Sequence, residues 1–191
     1  MITPNFSKHL KKFSKLSDAD IQTISSASKV LKPCKKEMLL RQGEVCRSNY
    51  FVEKGCLRLY FVNDKGNEHI IQFAIENWWI SDYSSFTRGN ASEFYIQAVE
   101  DSVVVVLTKT VQDQLLTDIP VLEHYFRQMF QLAYAATQNR LMFMHGLSKE
   151  NRYLHFSSLF PDFIQRIPQY MLASYLGFTP EYLSELRKKL S

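Results

Sequence analysis

The hydrophobic pattern of this 191-residue chain changes from the period of strands to that of a long helix near residue 119, and that change limits the possible folds more than any other feature. Between residues 37 and 110, short runs rich in valine, isoleucine, phenylalanine and tyrosine are separated by turn residues, as is typical of β-strands. From about Ile119 to Gly146 the apolar residues instead recur at the spacing of an α-helix. A strand domain followed by a long helix is the organisation that this pattern favours, and the predicted fold class is α+β.

The strand region predicts a closed structure of two layers. A turn at Asn63–Asn67 separates the runs Leu57–Val62 and His69–Phe73, which indicates a hairpin. The run Val103–Leu107 is typical of a buried strand. Many short strands at this spacing favour a double-stranded β-helix, or jelly roll. Together with helices before the strands, this predicts a first domain over residues 1–118.

The long helix, predicted over residues 119–147, carries two apolar stripes. One stripe can cover the strand domain, and the other then needs a second partner, which a twin helix across a two-fold axis would supply. Packing of both stripes inside one subunit is the alternative. We predict a homodimer, because the helix is long and its small residues allow close approach. The stripe assigned to the dimer contact consists of Leu122, Phe126, Met129, Ala133, Ala136 and Phe143, and the second of Val121, Tyr125, Leu132, Ala135 and Met142.

The clearest motif lies in the third predicted domain, residues 148–191. Ala173 is small where two helices would cross, and Gly177 can take the positive φ of a tight turn. Thr179 is a good N-cap and Pro180 a good first residue for a second helix. This spacing predicts a DNA-binding helix-turn-helix, and an ordinary helical hairpin is the alternative. The residues assigned to DNA binding are Thr179, Pro180, Glu181, Tyr182, Ser184, Glu185, Arg187, Lys188 and Lys189.

The second helix of this motif has two expected kinds of contact. If its start enters a major groove, Glu181 or Glu185 can accept a hydrogen bond from N4 of cytosine. For each glutamate, a solvated position in the first turn is the alternative. Arg187, Lys188 and Lys189 fall in the last turn, where they favour the helix dipole and can contact phosphates.

Composition excludes several other classes of protein. The chain is 46% hydrophobic and 22% charged, which excludes a disordered chain. No apolar run approaches the roughly 20 residues of a membrane-spanning helix, and the start lacks a signal-peptide core, so we expect no membrane partner. Cys34, Cys46 and Cys56 form no zinc or redox pair, and the histidines show no metal-ligand spacing. We therefore expect reduced thiols, a cytoplasmic location, no metal and no enzymatic activity.

The strand domain, long helix and terminal helix-turn-helix together resemble the Crp/Fnr superfamily of transcription regulators. Gln42-Gly43-Glu44 followed by Lys54-Gly55 matches the family's turn pattern, and Gly66 falls at its hairpin turn. The resemblance implies a cyclic-nucleotide-binding-like β-roll, a dimerisation helix and a recognition helix over residues 179–189. It also implies a homodimer on a roughly palindromic operator in double-stranded DNA, a small effector that shifts the dimer towards DNA binding, and RNA polymerase as a further partner.

The expected effector site departs from the family pattern. Relatives that bind cyclic AMP open the phosphate turn with Gly-Glu and close it with Arg-Ser, whereas this chain has Ser81-Asp82 and Ser92-Glu93. A phosphate would face two carboxylates without its arginine, unless Arg88 substitutes. We therefore assign no cofactor and expect either no ligand or a small effector other than cyclic AMP, neutral or cationic. The residues assigned to the effector pocket are Ile71, Gln72, Ser81, Asp82, Tyr83, Ser84, Ser92, Glu93 and Thr137.

A second departure concerns the DNA-binding end. The sequence given ends at Ser191, just after the second helix, so no wing is expected, and basic residues elsewhere would have to compensate. The N-terminal lysines are candidates, although a solvated helix face is the favoured explanation for them: Lys8, Lys11, Lys12 and Lys15. The alternative function is a ligand-sensing or protein-interaction module whose helix-turn-helix is vestigial.

Overall fold

The computed structural model describes residues 3–190. Two helices, α1 (Pro4–Phe13) and α2 (Asp18–Ala27), precede the strands. The strands are β1 (Lys29–Leu31), β2 (Met38–Leu40), β3 (Ser48–Lys54), β4 (Leu57–Val62), β5 (Glu68–Ala74), β6 (Trp79–Ile80), β7 (Tyr95–Ala98) and β8 (Val103–Thr108), with α3 (Tyr83–Arg88) between β6 and β7. The later helices are α4 (Lys109–Asp118), α5 (Val121–Gly146), α6 (Lys149–Leu159), α7 (Pro161–Arg166), α8 (Gln169–Leu176) and α9 (Pro180–Leu190).

The strands form two antiparallel sheets that enclose a common core. One sheet has the order β1-β8-β3-β6 and the other β2-β7-β4-β5. The predicted hairpin is confirmed, since β4 pairs with β5 and Gly66 takes a φ of 78° in the turn between them. Apolar side chains from both sheets meet in the interior: Leu40, Val52, Leu57, Leu59, Ile80, Ile96 and Val104. The predicted jelly roll and the α+β class are therefore confirmed.

A buried carboxylate fixes the N-terminal helix to this roll. Glu53 of β3 accepts hydrogen bonds from the Thr3 hydroxyl at 2.5 Å and from the backbone N–H groups of Asn5 and Phe6 at 2.9 Å. A negative group at a helix N-terminus satisfies otherwise unpaired N–H groups and favours the helix dipole. Further along α1, Phe6 and Leu10 are fully buried. Burial of each side chain contributes about 1.5–3 kcal/mol, so α1 is held at both its start and its centre.

The long helix α5 packs on the roll through its first two turns. Leu122, Tyr125 and Phe126 are buried in the same cluster as Phe51 and Trp79. This placement corrects the assignment of Leu122 and Phe126 to a dimer contact, because the stripe that contains them faces the roll of its own chain. Of the other assigned residues, Met129 packs partly against that cluster, and Ala133, Ala136 and Phe143 are half-buried. The large apolar residues that α5 leaves exposed are Val121, Phe130, Leu132, Tyr134, Leu141 and Met142.

The C-terminal helices cover an open sheet edge. β5 is an edge strand, and such edges present unpaired N–H and C=O groups. The Ser174 hydroxyl of α8 donates to the carbonyl of Glu68 at 2.8 Å and accepts the N–H of Ile70 at 3.0 Å. Arg140 of α5 donates to the carbonyls of Ile70 and Tyr175 at 3.1 and 3.0 Å. The helix-turn-helix is therefore docked on the roll rather than separated from it.

An ion-pair network joins the C-terminal helices to the roll at a second place. Arg166 of α7 donates to both carboxylate oxygens of Glu76 at 3.0 Å and to Glu100 at 2.6 Å. Burial alone would raise the pKa of Glu76, but the hydrogen bonds from Arg166 and the Gly55 N–H outweigh it and lower that pKa. Because these groups are partly exposed, the network contributes at most about 1 kcal/mol per pair. It fixes the orientation of the docked helices more than it stabilises them.

Candidate nucleic-acid interface and effector turn

The turn between α8 and α9 has the geometry that its sequence predicts. Gly177 ends α8 in the left-handed region with a φ of 76°, where residues with a Cβ are strained. Its N–H reaches the carbonyls of Ala173 and Ser174, and the N–H of Phe178 donates to Ala173 at 2.8 Å. These bonds satisfy the last carbonyls of α8 and turn the chain within two residues.

The second helix begins at the predicted cap. The Thr179 hydroxyl accepts the N–H of Tyr182 at 3.3 Å, and Pro180 is the first helical residue. Leu183 and Leu186 are buried against the fully enclosed Ala173 of α8. The small side chain of Ala173 is therefore the reason that the two helices can approach closely, and the predicted helix-turn-helix is confirmed as a local structure.

Packing of one face of α9 leaves the opposite face to solvent. Tyr182 and Ser184 are half-buried, and the Lys149 ammonium lies 5.0 Å from the centre of the Tyr182 ring. Lys189 is exposed but also pairs with Glu150 of α6 at 3.3 Å. The remaining residues assigned to DNA binding are all exposed: Thr179, Pro180, Glu181, Glu185, Arg187 and Lys188. The structure therefore presents two glutamates near the start of this face and two cations near its end.

An arginine that the sequence analysis missed fixes the turn. Arg152 of α6 donates to the carbonyl of Leu176 at 2.8 Å and to that of Met144 at 2.6 Å. Its guanidinium also lies 5.7 Å from the centre of the Phe178 ring. The end of α5, the start of α6 and the end of α8 are thereby joined at one side chain. No local sequence signal marks this role, because the partners are carbonyl groups.

The predicted effector turn is closed by its own hydrogen bonds. Asp82 is the N-cap of α3, since one of its oxygens accepts the N–H groups of Ser84 and Ser85 at 3.0 and 3.2 Å. The other oxygen accepts the Ser92 hydroxyl at 2.7 Å. Ser81, on the same turn, donates to the carbonyl of Ser48 at 3.0 Å. Ser81, Asp82 and Ser92 are thus brought together as predicted, but each is buried and already has a partner within the chain.

The other residues assigned to the pocket lie around this turn rather than in it. Ser84 and Glu93 are exposed, and so is Arg88 in the last turn of α3. Within the part of the chain that the structure describes, no arginine or lysine is a hydrogen-bonding partner of Asp82. The Tyr83 hydroxyl donates to Asn49 at 3.3 Å, and burial raises the pKa of Tyr83. Asp82 is therefore not paired with a cation in this turn.

Three assigned residues lie further away. Gln72 donates to the carbonyl of Trp79 at 3.1 Å and, like Tyr83, borders a cleft between α1 and α5. Ile71 is exposed on β5, and its carbonyl accepts a hydrogen bond from Arg140. Thr137 is exposed on α5 and donates to the carbonyl of Ala133 at 2.9 Å.

Within residues 3–190, no group of three or more histidine, cysteine, aspartate or glutamate side chains is arranged to hold a metal ion. Among the helices in that range, none has the length and apolar character needed to span a bilayer.

The described chain consists of a jelly roll, a long helix and a docked helix-turn-helix, and comparison with known proteins agrees with this architecture. Residues 31–118 match the family model of the cyclic nucleotide-binding domain. Regulatory protein HlyX of Actinobacillus pleuropneumoniae is 22% identical over 183 residues, which cover 90% of this chain and 75% of that protein. The fumarate and nitrate reduction regulatory protein of Vibrio cholerae is 22% identical over 183 residues, with 90% and 72% covered.

Solved structures show the same fold at lower sequence identity. The global regulator CLP of Xanthomonas campestris has a TM-score of 0.76 at 14% identity, with 91% of each chain covered. A transcriptional regulator of the Crp/Fnr family from Eubacterium rectale has a TM-score of 0.72 at 18% identity, with 94% of this chain and 85% of that chain covered. Over most of its length, the chain is therefore similar to transcription regulators of the Crp/Fnr superfamily. The prediction that it is not an enzyme is confirmed by these regulatory relatives.

Proposed function

We propose that this protein is a homodimeric transcription regulator that binds a two-fold symmetric operator through α9. The observation that carries the proposal is the capped helix α9, whose inner face is packed on α8 while its outer face presents Glu181, Glu185, Arg187 and Lys188. Eleven residues give a helix about 16 Å long, enough to lie in one major groove. Basic side chains at one end can then contact phosphates while the glutamates face base edges.

The exposed apolar residues of α5 support the dimer. Leu132, Leu141 and Met142 are each more than half exposed in the single chain. Large apolar residues along a long helix commonly mark a contact with another helix. A twin helix that runs parallel to α5 would place the two copies of α9 at the same end of the assembly. Recognition of RNA polymerase and the identity of the operator remain predictions from the family resemblance.

We further propose that the turn at Asp82 acts as a structural element and does not bind cyclic AMP. Its buried polar atoms have partners, and a phosphate would have to displace them without gaining a counter-charge. The free thiols of Cys34, Cys46 and Cys56 support a reducing, cytoplasmic location.

Salt-dependent DNA binding tests this proposal. An operator is first selected from random duplex DNA with the intact protein, and its affinity is then measured by fluorescence anisotropy between about 0.05 and 0.2 M salt. Sequence-selective affinity that falls steeply with salt supports regulation through α9. Affinity that stays at the non-specific level, in a protein that is folded and dimeric, would instead favour a module whose helix-turn-helix is vestigial.

A further inference from the structure

A cleft beside the roll is separate from the closed effector turn. It has a volume of about 460 Å³ and lies between α1, the segment that joins β5 to β6, and the middle of α5. Sites for small molecules range over about 300–1,000 Å³, so this cleft has the size of a small-ligand site. Only Gln72 and Tyr83 of the residues assigned to the effector pocket border it.

The walls of the cleft are fixed without a ligand. On one side, the Glu53 carboxylate holds the start of α1 in place. On the other side, the Trp79 indole N–H donates to the Tyr125 hydroxyl at 2.8 Å, and that hydroxyl lies 2.9 Å from Nδ1 of His9. The Tyr125 hydroxyl can accept from Trp79 and donate to Nδ1 of His9 at the same time. This chain of hydrogen bonds connects β6, α5 and α1 across the floor of the cleft.

The lining of the cleft combines apolar surface with positive charge. Lys8 and Lys12 of α1 contribute ammonium groups, and Asn5 and Asn77 contribute amides. Among the described residues that line it, none is acidic. The apolar lining residues include Phe13, Trp78, Phe126, Met129, Phe130 and Leu132.

His9 adds an imidazole ring to this lining. Burial, together with the nearby charge of Lys12, lowers the pKa of His9 to about 4, so the ring is neutral near pH 7. In the tautomer whose Nδ1 accepts from Tyr125, the proton of the neutral ring is on Nε2. The groups of α1 that border the cleft therefore include two cations and a neutral imidazole, and they lie next to aromatic surface.

We propose that this cleft binds a small carboxylate with an apolar body, its charge placed near Lys8 and Lys12 and its body against Trp78 and Phe130. The absence of acidic lining residues in the described cleft favours an anion. The extensive aromatic lining favours an apolar body over a nucleotide, whose sugar hydroxyls would lose hydrogen bonds to water there. Binding at this cleft is independent of whether α9 holds DNA.

The chain contains its own reporters for this site. It has two tryptophans, and both Trp78 and Trp79 line the cleft. Intrinsic tryptophan emission of the full chain is therefore measured without DNA while octanoate or 3-phenylpropanoate is added up to about 10 mM, which covers Kd values near 1 mM. Octanol and 3-phenylpropanol serve as the matched neutral compounds. A saturable change with at least one carboxylate, and tighter binding of that carboxylate than of its alcohol, is the expected result.

A pair of variants shows whether the lysines are responsible. Lys8→Gln with Lys12→Gln should weaken carboxylate binding about fivefold to tenfold. Lys11→Gln with Lys15→Gln removes the same charge from nearby positions that do not border the cleft, and it should leave the affinity unchanged. Any of three results would overturn the proposal. The alcohols could bind as tightly as the carboxylates, the two double variants could have equal effects, or neither carboxylate could give a saturable change in emission. Because no DNA is present, these outcomes are distinct from a failure of operator binding.

Discussion

The effector turn and the outer face of α9 use polar side chains in opposite ways. In the turn, Asp82 and Ser92 are buried, and their hydrogen bonds are made within the chain. On α9, Glu181, Glu185 and Lys188 are exposed on a helix whose orientation is already fixed by buried leucines. A buried polar group that has its partners contributes to folding, whereas polar groups on a rigid exposed face are available to a partner molecule. Four predictions test this contrast.

The largest expected effect is on the stability of the turn. Asp82→Ala removes the cap of α3 and leaves the buried Ser92 hydroxyl without its acceptor, which should lower the free energy of unfolding by about 2–4 kcal/mol. Urea denaturation measures this change. Ser84→Ala is the matched control, because Ser84 is exposed and keeps its backbone N–H, and it should cost less than about 0.5 kcal/mol. Equal stabilities of the two variants would show that the turn is not a structural element.

The second prediction concerns α9, where substitutions should change the affinity for DNA and leave the stability of the protein nearly unchanged. Arg187→Ala with Lys188→Ala should weaken operator binding by about 1–3 kcal/mol and reduce the slope of log affinity against log salt by up to about 2. Its unfolding curve should change little, because both side chains are exposed. Lys54→Ala with Lys65→Ala removes the same charge from the roll and serves as the control. A control that loses as much affinity as the α9 variant would assign the effect to net charge alone.

The third prediction concerns His9. This side chain is partly buried, so it lies between the buried effector turn and the exposed face of α9 in its contact with solvent. Its pKa is about 4 in the folded chain and near 6.5 when exposed. Between these values the unfolded chain binds a proton that the folded chain does not, so stability is complete above pH 6.5 and falls as the pH approaches 4.

Replacement of His9 should make the stability of the protein depend less on pH. His9→Gln should reduce the loss of stability between pH 6.5 and 4 by about 1–2 kcal/mol, as measured by urea denaturation at several pH values. His145→Gln is the control, because His145 is exposed in the last turn of α5. If both variants keep the wild-type pH profile, the folded pKa of His9 is not lowered.

The smallest expected effect comes from two glycines in strained turns. A comparison of Gly177 with Gly66 separates the cost of backbone strain from an effect on DNA binding. Gly177 and Gly66 have φ values of 76° and 78°, so alanine at either position should cost about 1 kcal/mol. A Cβ on Gly66 meets open space, whereas one on Gly177 lies 3.1 Å from the Met144 side chain and 3.4 Å from Arg152. Gly177→Ala should therefore also weaken operator binding, which Gly66→Ala should not. Identical operator affinities for the two variants would contradict this role of the turn.

The sequence predicted the features that depend on neighbouring residues. The β4–β5 hairpin, the cap at Thr179 and the glycine at the α8–α9 turn each have a local signal, and each is present. The contacts that dock the C-terminal helices were not predicted, because they join distant positions: Ser174 bonds to Ile70 across 104 residues, and Arg166 to Gly55 across 111. Such contacts leave no periodic or spaced pattern in a single sequence.

The candidate sites divide in the same way. The family resemblance placed Ser81, Asp82 and Ser92 at one turn, but it did not show that their polar atoms would be used within the chain. It also assigned Leu122 to a dimer contact, because an apolar stripe does not show whether its partner is the same chain or another. The cleft was missed for a physical reason as well, since α1 meets α5 only through tertiary packing.

The most direct test of regulation through α9 is the selection of bound sequences from random duplex DNA by the intact protein. The account predicts enrichment of a two-fold symmetric sequence, with half-sites whose centres are about 10 base pairs, or about 34 Å, apart. The Arg187→Ala, Lys188→Ala variant should enrich it weakly or not at all. A selected pool that stays as random as the starting pool, obtained with protein shown to be folded and dimeric, would contradict DNA recognition by this helix.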